Sequence, residues 1–129
     1  MMDLNGVTTQ LVSLALDASV LRHQAIANNI ANGSNSEYVP VRVNFEDQLS
    51  SAIEAVKNRR GETSLTSDLE NIKPYLVEDD QAQSVGNSRV MLDMEMAKLA
   101  QNVVHYQALL KGLTKNMAII SLAINEGRR

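Results

Sequence analysis

The sequence predicts a mainly α protein in which long N- and C-terminal helices pair as an antiparallel coiled coil around a short, irregular middle segment. Three observations predict it. Near the N-terminus, Val7, Leu11, Leu14, Ala18, Leu21 and Ala25 recur at spacings of four and three, a period near 3.5 that marks a helix packed almost parallel to another. Near the C-terminus, Leu92, Met96, Leu99, Val103, Tyr106, Leu110, Leu113, Met117, Ile120 and Ile124 keep the same rhythm without a break. The composition agrees: 44% of residues are hydrophobic but only 3% aromatic, with six methionines. An aliphatic, Met-rich core suits helices on helices better than a β-sandwich.

The first helix should run from about Leu4 to Asn32. Its seam continues to Asn28 and Asn32, where "IANNIANGSNSEYVP" breaks the apolar pattern. Asparagine is a poor helix former whose amide bonds to backbone and neighbours. Two readings follow. The amides cap a fraying helix end, or they bond across a packed interface and hold one register.

The middle reads differently. Asn44 can N-cap a short helix from Phe45, with Asp47 in its first turn and Leu49, Ile53 and Val56 on one face. "KNRRGETS" ends it as a charged loop. Ile72–Val77 is irregular, with a short strand over "PYLV" as one reading, and "EDDQAQSVGNS" is a polar linker. The terminal helix over Leu92–Ile124 spans 33 residues, about 50 Å at 1.5 Å per residue. Asp93 and Glu95 towards its start and Lys111 and Lys115 towards its end complement the helix dipole, and Gly127 is a stop. The segments are 1–34 (assembly helix and motif), 35–90 (variable middle) and 91–129 (second assembly helix), one domain in all.

At 129 residues and a net charge of −3, the chain lacks the clustered cations that phosphate binding needs, so no nucleic-acid partner is expected. It has no cysteine, which removes disulfides, thiolate metal sites and thiol nucleophiles. "MMDLNGVTTQLVSLALD" has neither a basic nor a sustained apolar region, so no cleaved signal is expected, and the apolar run "MAIISLAI" is too short to span a bilayer. His23 and His105 lack partners at metal-ligating spacings, and Glu78, Asp79 and Asp80 lack the alternation of a calcium loop. No nucleophile elbow or phosphate-cradling glycine loop is present. The expectation is no enzyme, no catalytic residue, no metal, no cofactor and no small-molecule substrate.

"NNIANGSNSEY", Asn28–Tyr38, resembles the N-I-A-N-x-x-T-P-G-Y signature of bacterial flagellar axial proteins, the rod, hook and hook-associated components. Within that family the likeness is strongest to the short proximal-rod subunits. "VNFEDQL" resembles their D-F segment, and "GNSRVMLDMEMAKLAQNVVHYQALLKGLTKNM" is similar to their G-N-x-V-D-L-D-x-E followed by A-x-N-x-x-x-Y-Q. The likeness covers about residues 10–49 and 86–125. Asn35, Ser36 and Glu37 replace Thr-Pro-Gly, Met91 stands where an acid is usual, and "GNSRV" has one residue more than the family pattern.

The resemblance implies a structural, non-enzymatic subunit of the basal-body rod. Such a subunit polymerises through its terminal helices, carries torque for motility and lines the export channel. It implies type III export without a cleaved signal peptide, a periplasmic rod location, self-association, and contacts with other rod proteins and the membrane-ring adapter. Assembly contacts are expected at Asn28, Asn29, Ile30, Ala31, Asn32 and Tyr38, and along Leu92, Met96, Leu99, Val103, Tyr106, Leu110, Leu113 and Met117. The alternatives are a neighbouring rod protein of the same family and a free-standing helical adaptor.

Overall fold

A computed structural model describes residues 4–35, 37–58, 65–79 and 88–127. The elements run α1 (Leu4–Ala31), β1 (Val41–Asn44), α2 (Glu46–Asn58), α3 (Leu65–Glu70), β2 (Tyr75–Glu78) and α4 (Ser88–Glu126). Of the charged loop expected over 57–64 and the linker expected over 78–88, residues 59–64 and 80–87 lie outside the described residues, as does Ser36.

The expected pairing of the terminal helices is present. Side-chain bonds join Thr9 to Asn116, Ser19 to Asn102 and Asn29 to Glu95, so residue numbers rise on α1 as they fall on α4. The helices are antiparallel. With 28 and 39 residues they are about 42 and 58 Å long at 1.5 Å per residue. Helix α4 starts at Ser88, a turn before the expected Leu92. Asp93 and Glu95 therefore fall past its first turn, and neither terminal turn carries a dipole-complementing charge. Glu95 is instead buried against α1.

Helix α1 serves as a shared wall, with α4 packed on it and also β1, β2 and α3. The core consists of Val7, Ala18 and Ala25 from α1 with Val43, Phe45, Leu69 and Ile72 from the middle segment. Leu11, Leu14 and Leu21 pack at its edge. Ala18 and Ala25 are small enough to let neighbouring backbone approach α1 closely, and both are fully buried.

The middle segment is more ordered than its sequence pattern indicates. Strand β2 covers the "PYLV" region, and it pairs antiparallel with β1 in the register Val41↔Glu78, Val43↔Leu76 and Asn44↔Tyr75. Strand β1 was not anticipated, although Val39, Val41, Val43 and Phe45 alternate at period two. Asn44 is not the N-cap expected of it. It ends β1, α2 begins at Glu46, and the Asn44 carbonyl and side-chain oxygens accept from Gln48 Nε2 at 3.0 and 3.3 Å. Gln48 also bonds both backbone groups of Lys73, tying α2 to the entry of β2. On the expected α2 face, Leu49 and Val56 are half-buried while Ile53 is exposed.

Helix α3 is anchored by Leu69, the fully buried one among its described side chains, which joins the middle segment to α1. Truncating Leu69→Ala should cost about 2–5 kcal/mol through lost contacts and an incompletely closed cavity. Urea denaturation of the variant should show a lower midpoint with an unchanged slope. A midpoint equal to that of the parent would mean α3 does not fasten the fold.

Candidate functional site

The candidate site is the α1–α4 seam and the end of α1 where the asparagines cluster. A heptad extrapolated from Val7 places Asn28 and Asn32 on the buried face. The buried positions at this end of α1 are instead Ala25, Ile26 and Asn29. Asn28 is exposed, as is Ala31, and Ile30 is half-buried. In the single chain the seam amide is thus Asn29.

Asn29 is 6% exposed, and both ends of its amide are fully engaged. Its Nδ2 donates to Val41 O at 2.9 Å and to Glu95 Oε2 at 3.3 Å. Its Oδ1 accepts from Val41 N–H and from the Tyr38 hydroxyl, each at 2.9 Å. Two donors and two acceptor sites are all that an asparagine amide offers. Four groups on the turn, strand β1 and helix α4 therefore converge on one side chain. Asn32 plays a different part: its Nδ2 folds back to Asn28 O at 2.9 Å, closing the last turn of its own helix. The two readings of the cluster apply to different residues, Asn32 as cap and Asn29 as cross-link.

Glu95, equally buried, accepts from Asn29 and from Lys98 Nζ at 3.2 Å, so its carboxylate is both hydrogen-bonded and paired. Burial, and secondly the charge of Glu95, pushes the Tyr38 phenol above its ordinary value. Midway along the seam, Ser19 Oγ donates to Asn102 Oδ1 at 3.0 Å, and Asn102 Nδ2 donates to Ser19 O at 2.9 Å. Asn116 Nδ2 donates to Thr9 Oγ1 at 3.2 Å nearer the other end. These pairs, with Asn29–Glu95, are polar rungs of the seam. Between α1, β1 and α4 lies an open cleft of about 530 Å³, with the Arg22–Glu46 ion pair (2.6 Å) and Lys98 among its lining residues.

The expected apolar row on α4 divides in two. Leu99, Tyr106 and Leu113 are half-buried, and with Glu95, Asn102, Leu109 and Asn116 they form the face towards α1. Leu92, Met96, Val103, Leu110 and Met117 remain exposed, Met96 by 57% and Met117 by 58%. Sequence reasoning missed Ser19, Glu95 and Asn102 as seam residues. The available signal was that 95, 102, 109 and 116 also keep a seven-residue spacing beside the apolar row. Among the described residues no group of His, Cys, Asp and Glu could hold a metal ion, and no helix is long and apolar enough to cross a membrane.

The long terminal helices thus form an antiparallel pair with a small hairpin unit packed on α1, and buried polar side chains such as Asn29, Glu95, Ser19 and Asn102 fasten these elements together. The chain's class is shown by comparison with known proteins. The chain is similar to the flagellar basal body rod protein FlgB of Bacillus subtilis (strain 168), with 31% identity over 130 residues covering 98% of this chain and 100% of the relative. It belongs to the FlgB family of flagellar rod proteins. No protein-family model and no solved structure matches the chain.

Two measurements check the Asn29 node. Asn29→Ala removes the partner of part-buried groups on Val41 and Tyr38 and one of the two partners of the buried Glu95, at about 1–3 kcal/mol in all, whereas the exposed Asn28→Ala should stay within about 0.5 kcal/mol. Comparing the two urea midpoints decides it, and equal losses would remove Asn29 from its place as cross-link. The second measurement is alkaline titration of stability. A phenol raised above 10.0 in the fold favours its neutral form there. The stabilisation it contributes is complete below its unfolded value and is lost as pH rises through the raised one. Tyr38→Phe should therefore show a shallower fall in stability above pH 10 than the parent; identical slopes would contradict the linkage.

Proposed function

We propose that the chain is a subunit of the proximal flagellar rod that polymerises through its terminal helices. Its partners would be further copies, other rod proteins and the membrane-ring adapter. In this reading it transmits torque, forms part of the export-channel wall, reaches the rod through the type III apparatus without a cleaved signal, and performs no catalysis.

The observation that carries the reading is the row Met96, Val103, Leu110 and Met117. It recurs at a seven-residue period on the flank of α4 that α1 leaves open. Apolar side chains at that period are what a further helix packs against. The polar rungs supply what a torque-bearing wall needs in addition. Sliding α1 along α4 would separate Ser19 from Asn102 and Asn29 from Glu95, stranding buried polar groups, so the pair resists shear.

The double substitution Val103→Glu, Leu110→Glu tests the assembly face without touching the buried seam. Both side chains are exposed, so stability should change by no more than about 0.5 kcal/mol per site. Introduced into a strain lacking the gene, the variant should fold yet leave cells non-motile, with purified basal bodies lacking the subunit. Normal swimming with the variant present in intact basal bodies would refute this face as the contact.

A further inference from the structure

We propose that Asn32–Gly33 is a spontaneous modification site, deamidating through a cyclic imide, and that the turn closing α1 holds the reaction off. The chemistry uses the Gly33 backbone nitrogen, deprotonated by solvent, as nucleophile on Asn32 Cγ. The Cγ–Nδ2 bond breaks, the side-chain nitrogen takes up a proton and leaves as ammonia, and a succinimide ring remains. Water then opens either ring carbonyl to give aspartate or isoaspartate, with no oxidant or reductant involved. Glycine makes the preceding asparagine the most exposed to this attack, because no Cβ shields the nitrogen or restricts the backbone.

Both reacting groups are restrained in the fold. Asn32 Nδ2 donates to Asn28 O at 2.9 Å, which lays the side chain back along α1 rather than forward onto Gly33. The Gly33 N–H donates to Ile30 O at 3.2 Å, which keeps its proton in place and its direction turned towards the helix. Attack requires both bonds to open together. In the unfolded chain neither exists, so the site records time spent unfolded.

The product bears on the node described above. Aspartate at position 32 sets a carboxylate against the partial negative charge of the helix C-terminus. Isoaspartate also adds a backbone carbon between Asn29 and the two residues its amide holds, Tyr38 and Val41. A modified chain should close this end of α1 poorly.

The full chain is incubated in mildly alkaline buffer with and without urea, and the peptide containing Asn32 is followed by mass spectrometry and isoaspartate methylation. Asn5–Gly6, the chain's other Asn-Gly pair, is resolved as a separate peptide. Opening two hydrogen bonds before attack should slow the native reaction at Asn32 by about tenfold or more relative to urea. Gly33→Ala should slow it in urea as well, and its fold is checked separately by circular dichroism, since a Cβ there meets only Asn29 O at 3.3 Å and Ile30 O at 3.4 Å. Equal rates in buffer and urea, or an unmodified Asn32 in urea, would overturn the proposal.

Discussion

One buried amide sets the relation between the helix pair and the hairpin. Asn29 stands on α1, yet its bonds reach Tyr38 in the turn, both backbone groups of Val41 and the carboxylate of Glu95 on α4. Apolar contact between the same elements could be kept through many small slides and rotations, because it has no direction. An amide with two donors and two acceptor sites, all satisfied, permits one arrangement. From it follow the direction in which the chain leaves α1, the start of β1, and the position of α4 opposite the end of α1.

The remaining polar rungs repeat the same division of labour along the seam. Ser19 with Asn102 and Thr9 with Asn116 define register, while Leu99, Tyr106, Leu109 and Leu113 supply burial between them. A seam of leucines alone would bind more tightly and discriminate less between registers. Helix α4 keeps its most apolar flank, from Met96 to Met117, on the other side of that seam. Within a family of rod proteins, a chain with one polar-pinned intramolecular seam and one open apolar flank separates two tasks. The first shapes the subunit, and the second is available for the proposed packing of neighbours.

The hairpin unit has a lesser share in this arrangement but determines how α1 is used. By occupying part of α1 with Val43, Phe45, Leu69 and Ile72, it leaves α4 only part of that helix to cover. Gln48 and the Arg22–Glu46 ion pair then fasten α2 to the β2 entry and to α1 respectively. These are contacts between residues 24 or 25 apart in the chain, and no periodicity within a short window announces them.

Sequence periodicity located the two long helices and a glycine marked the stop near Gly127, because side-chain spacing and end signals within one helix are local properties of a regular backbone. The signature around Asn28–Asn32 likewise pointed to the family to which the chain belongs. What only the tertiary structure decided was the rotational setting of each helix. On α1 the buried amide is Asn29, whose partners on β1 and α4 stand opposite it, and the neighbouring Asn28 is exposed. On α4 the face towards α1 came to include Glu95 and Asn102, which look like surface residues until Asn29 and Ser19 stand opposite them. A polar residue is stable in a seam only when a partner meets it there. That partner lies 66 or 83 positions away, so the pairing exists in space before it can be read in the chain.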